Sequence, residues 1–346
     1  MLKMVRANKM KRFIVITAAL IAVLAFAACG GNGETPADSP TPSPSPATAA
    51  TPSPSPSPTP IPDETPADTR PTVDREGFAL TLPEQINTIA IIGPSNADIL
   101  VGLGFADRII VADRFSFDVE GLPAGIIADF GITDFDAEYI VNMMPDVLFV
   151  TGMVRQGGVD DPMAPVTAAG VTVIYMPTSD SIADIVEDIR FIAAVMGADA
   201  VGEAVVAQMQ AEIDAIAAIA ANITTARTVY FEISPAPCMF SFGSGTFLNE
   251  LIEIAGAVNI FADQIGWLGV SEEYLLELNP DVILTSTDWL DDPIGEIMER
   301  PGFDAITAVA DGNVHFIDTA SSSRPTQNIV RALREIAVAV FPEYFQ

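Results

Sequence analysis

The residues best suited to chemistry in this chain are few, and their pattern favours holding a molecule over transforming one. A single histidine, His315, stands in Val314-His315-Phe316-Ile317, a strand-like run that gives it a structural reading. Any Ser-His-Asp set would have to use it, no Cys-His pair has local support, and no glycine-rich phosphate loop is present. Zinc and manganese sites rest on several imidazoles with carboxylates, and one histidine cannot build such a cluster. No metal site, no intrinsic cofactor and no enzymatic activity are therefore expected. A metal already wrapped in its own chelator remains a suitable ligand, and haem stays open because Met or Tyr could ligate it.

What remains suits recognition. Arg114, Arg324 in Ser321-Ser322-Ser323-Arg324-Pro325, and less strongly Arg155 could fork to a carboxylate or phosphate on a ligand. In so acidic a chain each could equally pair with a neighbouring carboxylate. Ser95 and Thr246 open predicted helices, whose free N–H groups can bind anions or polar ligand edges, while N-capping is their structural reading. Trp267 and Trp289 are the only tryptophans and are both expected in loops. A large flat ligand could stack on such a ring, and Phe115, Phe117, Phe240 and Phe242 could line the same space or sit in the core.

One short signature occurs twice. Glu138-Tyr139-Ile140-Val141-Asn142-Met143-Met144-Pro145-Asp146-Val147-Leu148 is echoed by Glu273-Tyr274-Leu275-Leu276-Glu277-Leu278-Asn279-Pro280-Asp281-Val282-Ile283, with Glu, Tyr, Pro, Asp and Val at one constant offset. Both glutamates lie near predicted helix starts, where the dipole favours a carboxylate. Between the copies runs Ala200 to Asn222, alanine-rich and free of proline, with Val205, Met209, Ile213, Ile216 and Ile219 at spacings of three and four. As a helix it would span roughly 33 Å. Two similar lobes on one rod imply a cleft between them.

The elements that must position these residues alternate. Strands are predicted at Thr88–Ile92, Arg108–Val111, Val147–Val150 and Val171–Tyr175, with helices after Ser95, over Ala137–Met143 and over Ile182–Met196. The second half repeats the plan: strand Arg227–Ile233, helix Phe247–Ala255 after Gly243-Ser244-Gly245, helix Ser271–Leu278, strands Val282–Thr285 and Val314–Ile317, and helix Gln327–Phe341. Such alternation predicts parallel sheets with helices on both faces, and ligands then lie beyond the carboxyl ends of the strands. The loops after the strands bring Ser95, Arg114, Phe115, Gly152, Phe242, Gly245, Trp267 and Arg324 to the shared cleft as candidate ligand contacts.

Ahead of this body, Lys3, Arg6, Lys9, Lys11 and Arg12 precede an apolar run, Phe13 to Ala28, shorter than the ~20 residues of a membrane span. Residues 1–28 read as a secretory signal peptide. Residues 29–75 read as a tether, with Thr41-Pro42-Ser43-Pro44 and Thr51-Pro52-Ser53-Pro54 repeats that cannot build a packed core. Folding is expected to start near Phe78, giving a first lobe over 76–198, the linking helix over 199–223 and a second lobe over 224–346. The formal charge is −30, and no lysine follows Lys11. That excludes a nucleic-acid footprint and leaves any membrane contact to an anchor. Of two cysteines, Cys238 is expected to be buried or a free thiol.

From about Leu82 onward the chain resembles the substrate-binding proteins of the vitamin B12 and iron-siderophore import group. Pro94-Ser95, Gly104, Asp113-Arg114-Phe115-Ser116, the two Glu…Pro-Asp signatures, Gly243-Ser244-Gly245, Gly256 with Asn259-Ile260-Phe261, Pro301-Gly302-Phe303 and Asp311-Gly312-Asn313-Val314 carry it by order and spacing. Ala27-Ala28-Cys29-Gly30 similarly resembles a lipobox, with Cys29 the acylated residue of an extracytoplasmic, membrane-anchored lipoprotein. The resemblance implies an α/β fold of two Rossmann-like lobes with mainly parallel sheets joined by one long α-helix, the class III periplasmic binding protein fold. It implies a monomeric receptor for a corrinoid or ferric siderophore, with haem as an alternative. Its partners would be an ABC permease and its ATPase, with Glu138 and Glu273 docking to permease arginines. Trp267 falls where cobalamin-type relatives often place an aromatic residue. A surface sensor or adhesion module on the same fold is the other reading.

Overall fold

The computed structural model describes residues 69–155 and 161–345. The expected signal peptide, Cys29 and the tether up to residue 68 lie outside the described residues.

Two parallel four-stranded sheets organise the chain. In the first lobe the strands are β1 (Ile89–Ile92), β2 (Ile109–Ala112), β3 (Val147–Thr151) and β4 (Thr172–Met176), ordered β2-β1-β3-β4. In the second they are β5 (Thr228–Glu232), β7 (Val258–Asn259), β9 (Val282–Thr285) and β10 (Val314–Phe316), ordered β10-β9-β5-β7. Read backwards, the second order repeats the first. β1, β3 and β9 are apolar throughout or nearly so and buried on both faces, as helix-covered parallel strands require. A two-stranded antiparallel ribbon, β6 (Phe240–Phe242) with β8 (Trp267–Gly269), stands beside the second sheet. Trp267 is thus on a strand rather than in the expected loop, because its backbone pairs with Phe242.

The helices are α1 (Pro94–Gly102), α2 (Ala137–Met143), α3 (Ala164–Ala168), α4 (Ile182–Val195), α5 (Asp199–Ala220), α6 (Phe247–Ile254), α7 (Glu272–Leu278), α8 (Pro293–Met298), α9 (Thr307–Ala310), α10 (Thr319–Ser323) and α11 (Ile329–Val340). The rod, α5, has 22 residues. Its buried row is Gly202, Val206, Met209, Ile213, Ile216 and Ala220. The expected stripe holds at Met209, Ile213 and Ile216, but Val205 is half-buried and Ile219 exposed. The contact row starts at Gly202 because a Cβ there would strike Ala193 of α4, so the close helix approach selects that row.

One core runs through both lobes. It joins Ile89 and Ile91 of the first sheet to Val229 and Phe231 of the second through residues of α1, α4, α5, α6 and α11. Each sheet's other face closes on its own cluster, around Ile92, Leu148 and Ile140 in one lobe and around Tyr230, Ile283 and Leu275 in the other.

The repeated signature is a device for attaching helix to strand. α2 and α7 end on left-handed residues at the same place, Met144 (φ 49°) and Asn279 (φ 45°), each followed by its Pro-Asp. Asp146 accepts from the backbone N–H of Asn87 (2.7 Å) and Thr88 (2.9 Å). Asp281 accepts from the Thr228 N–H (2.8 Å) and hydroxyl (2.7 Å). Each aspartate thereby fastens its helix end to the start of the lobe's first strand. The partner tyrosines pack alike, Tyr139 on Phe130 and Tyr274 on Phe261.

Packed structure begins before Phe78. Val73 bridges Ala79, Arg75 bonds Asp188 (2.8 Å), and Thr172 donates to the Thr81 carbonyl (3.0 Å), so this stretch lies along the open edge of β4. Covering an edge strand satisfies backbone groups that would otherwise invite pairing with another chain.

Candidate ligand cleft

In each sheet the strand order reverses between the two central strands, and ligands of such sheets lie beyond the carboxyl ends of the strands at that point. In the first lobe β1 ends at Gly93, whose φ of 111° excludes most side chains. Its N–H donates to the buried Asp113 carboxylate (2.7 Å), which also accepts from the Phe115 N–H (2.8 Å) and the Ser116 hydroxyl (3.2 Å). Burial pushes Asp113 above the ordinary carboxylate range, with these donors opposing it. Asp113 thus shapes the turn that carries Ser95, a role that sequence reasoning missed. An aspartate closing a strand just before Arg-Phe-Ser was the available signal.

Ser95 does not cap α1. Gly93 occupies the N-cap position and Pro94 the first turn, so Ser95 is the second helical residue, half-buried beside the cleft. Thr246 does cap α6, accepting from the Asn249 N–H. Arg114 turns to its own lobe, bonding Asp134 (2.8 Å) and the Asp129 carbonyl (3.1 Å). Phe115 is half-buried, and its carbonyl accepts from Arg324. Gly152 begins the turn after β3, where a Cβ would fall on Oε1 of Glu76.

The second lobe presents a ledge. A Cβ at Gly243 would strike the Gln264 backbone, and Gly243 donates to the Gly266 carbonyl (2.8 Å). Ser244 exchanges backbone hydrogen bonds with Gln264 (2.9 Å) and Gly266 (2.8 Å), and Gly245 takes φ 72°. This bonded ledge holds Ile265 out at 87% exposure, next to half-buried Trp267. Phe242, expected in the cleft, is instead fully buried, packing on Phe231 and edge-on to Trp267 at 6.0 Å. Its role is to seat the tryptophan, because strand pairing turns its side chain into the core. Phe240 is likewise buried.

Arg324, the other expected ligand arginine, is a pin between the lobes. It is buried and reaches Asp98 (3.3 Å), Asp118 and the Phe115 carbonyl (3.3 Å). Asn328 donates to the same Asp98 (3.4 Å), and Gln327 to its carbonyl (2.8 Å). Burial raises Asp98, with Arg324 opposing. Nothing in the sequence around Asp98 marks it as a contact of the second lobe. Its actual partner stands more than two hundred residues away, which no local pattern reveals.

A second buried ion cluster backs the second wall. Glu232, at the carboxyl end of β5, receives both terminal nitrogens of Arg300 (2.6 and 2.7 Å), and Arg300 also binds Glu296. His315 lies half-buried on β10, and burial lowers its pKa. Cys238 is an exposed free thiol. Glu138 and Glu273 occupy the second position of α2 and α7, both exposed, while Asp136 and Ser271 are the residues that cap. Neither glutamate is itself the N-cap, and each stands in the first helical turn, where the dipole favours a carboxylate.

Residues 89–320 match the periplasmic binding protein family. Among curated proteins, the chain is 25% identical to an uncharacterized ABC transporter substrate-binding lipoprotein, YvrC of Bacillus subtilis, over 79% of this chain and 86% of that protein. It is 27% identical to a cobalamin-binding protein of Halobacterium salinarum, over 77% of this chain and 72% of the relative. Among solved structures, the periplasmic haem-binding protein RhuT of Roseiflexus superposes with a TM-score of 0.65 at 21% identity, covering 74% of this chain and 98% of that one. With both sheets, the linking helix and both copies of the signature inside the matched residues, this chain belongs to the periplasmic binding protein family.

Proposed function

We propose that the protein is the extracytoplasmic receptor of an ABC importer, capturing a corrinoid or a ferric siderophore between its lobes. The observation that carries this is a pair of look-alike sheets whose carboxyl-end loops differ, one set with an exposed isoleucine and a seated tryptophan, the other with glycine turns. A large, partly apolar cargo suits such loops, and both the cobalamin-binding and haem-binding relatives are consistent with it. Haem is the alternative cargo. Cys29 would carry the lipid anchor, and residues 29–75 would hold the body off the membrane as a monomer. Glu138 and Glu273, one exposed carboxylate per lobe in equivalent frames, would dock to cationic residues of the permease, which works with its ATPase.

Titration of the full-length chain in detergent with cyanocobalamin, ferrichrome and haem, followed by tryptophan fluorescence and visible absorbance, tests the receptor reading. Saturable binding of one of them is expected, and binding of none overturns it. Charge reversal at both glutamates should leave that affinity unchanged and abolish uptake in cells carrying the transporter. A loss of affinity would instead place them in the cleft.

A further inference from the structure

The turn that joins the tether to the body is bonded at the carboxyl ends of β3 and β4, the side of a parallel sheet on which ligands lie. Asp74 is buried and holds the turn from three sides, accepting from the N–H groups of Glu76 (3.0 Å) and Phe78 (2.8 Å) and from that of Tyr175 (3.1 Å) near the carboxyl end of β4. Glu76 projects to Gly152 at the end of β3, where an added Cβ would displace its carboxylate. Phe78 packs on Tyr175 with ring centroids 5.6 Å apart, and the Arg155 guanidinium lies over both rings, at 3.8 and 3.7 Å. Arg155 is steadied by Glu76 (3.6 Å) and Asp161 (3.8 Å), with Tyr175 also bonded to Asp161. The result is a pillar at the carboxyl ends of β3 and β4, topped by a phenylalanine that is 43% exposed.

The contacts that tie this stretch to β4, Asp74 with the Tyr175 N–H and Thr172 with the Thr81 carbonyl, do not call for an exposed aromatic ring at position 78. An exposed phenylalanine fixed on a five-residue turn leaves apolar surface in water that burial would make favourable by about 25 cal/mol per Å². Gly152, just after β3, is where the carboxylate from that same turn comes to rest.

We propose that the turn Asp74–Phe78 is part of the cargo site, with Phe78 laying its open ring face against a flat apolar face of the cargo. Occupancy of the cleft then immobilises the point at which the tether leaves the body. This deepens the receptor reading and rests on it. By linkage, whatever orders the turn also tightens the grip on cargo, so tether and cleft are coupled in both directions.

The test uses the full-length chain in detergent with the same three probes. For the probe that the wild type binds, Phe78→Ala is expected to weaken affinity about 10- to 100-fold, the loss of one stacked aromatic contact. Phe78→Leu, which keeps apolar bulk without a flat face, should fall between, and both should melt within a few degrees of wild type. Hydrogen exchange over residues 72–80 should slow when that probe is bound. Wild-type affinity in Phe78→Ala, or unchanged exchange over 72–80 while the Trp267 ledge slows, overturns the inference and leaves the receptor reading standing. Binding of none of the probes by the wild type overturns both.

Discussion

Replacing Arg300 by methionine isolates what a buried charge needs. Glu232 is fully buried, and Arg300 supplies two of its hydrogen bonds, at 2.6 and 2.7 Å. The Tyr230 hydroxyl, at 3.3 Å, is a third donor to the carboxylate. Methionine fills most of the arginine stem but leaves the carboxylate without a counter-charge. Breaking a buried pair from one side costs about 3–5 kcal/mol, and at about 2–4 °C per kcal/mol for a chain of this size the melting point should fall by roughly 6–20 °C. The loss should depend on pH in a definite direction. Burial already holds Glu232 above its ordinary value, with Arg300 opposing that shift, so removing Arg300 raises it further. A raised carboxylate adds no penalty below its unfolded value of about 4.3, and the penalty grows as pH climbs through the folded value. Urea unfolding followed by circular dichroism should therefore show a larger deficit at pH 8 than at pH 5. Glu232→Gln combined with Arg300→Met should recover most of it, since a neutral amide needs no counter-charge. A deficit below about 1 kcal/mol at pH 8, or one equal at both pH values, would falsify the claim that Glu232 is ionised and sealed from water.

Three further outcomes are expected. Burial raises Asp98, Asp113, Asp188 and Glu232 together, so their stabilisation is complete below the unfolded carboxylate value and is lost as pH rises through the folded ones. With a formal charge of −30 adding repulsion near neutrality, calorimetry should find a higher melting point at pH 5 than at pH 8. Met144→Asn gives α2 the left-handed residue that α7 already has at Asn279, and should stabilise by roughly 1 kcal/mol in denaturant titration. An unchanged or lower midpoint would mean that Met144 has contacts worth more than its strain. Arg324→Ala strands Asp98 at the seam, and should cost about 3–5 kcal/mol while speeding hydrogen exchange in α1 and α11. Exchange confined to the neighbourhood of residue 324 would show that the lobes do not rely on that pin.

The sequence was most legible where one local rule decided the outcome. Ala137–Met143 and Val282–Thr285 fall where their patterns predict, because an aspartate cap, a proline break or a run of branched apolar residues acts over a few positions. The internal repeat was also legible, and its meaning became clear from Asp146 and Asp281, each tying a helix end to a first strand. What stayed hidden was set by partners distant in sequence. Arg324 looked like a ligand arginine until Asp98 and Asp118 appeared beside it, and Phe242 looked like a cleft residue until pairing with Trp267 turned it inward. The turn at Asp74 read as tether because nothing near it hints that Tyr175 and Gly152 wait at the ends of two later strands.

The way the lobes are joined limits how such a receptor can signal. A wide hinge would have to part the core that α5 shares with both sheets, and would draw Arg324 away from Asp98 and Asp118. Exposing apolar surface costs about 2.5 kcal/mol per 100 Å², whereas micromolar cargo supplies about 8 kcal/mol in all. A swing that opened a few hundred Å² would consume most of that, so loaded and empty forms can differ by only a slight change in the gap. A permease touching both lobes must then distinguish them by the spacing of fixed points rather than by a new orientation. Glu138 and Glu273 are suited to that, each on the second residue of a helix whose end is bonded to the first strand of its sheet. On the docking proposed above, a shift of either sheet would reach its glutamate through one short helix tied at its far end to that sheet, so two carboxylates would report a movement that the shared core keeps small.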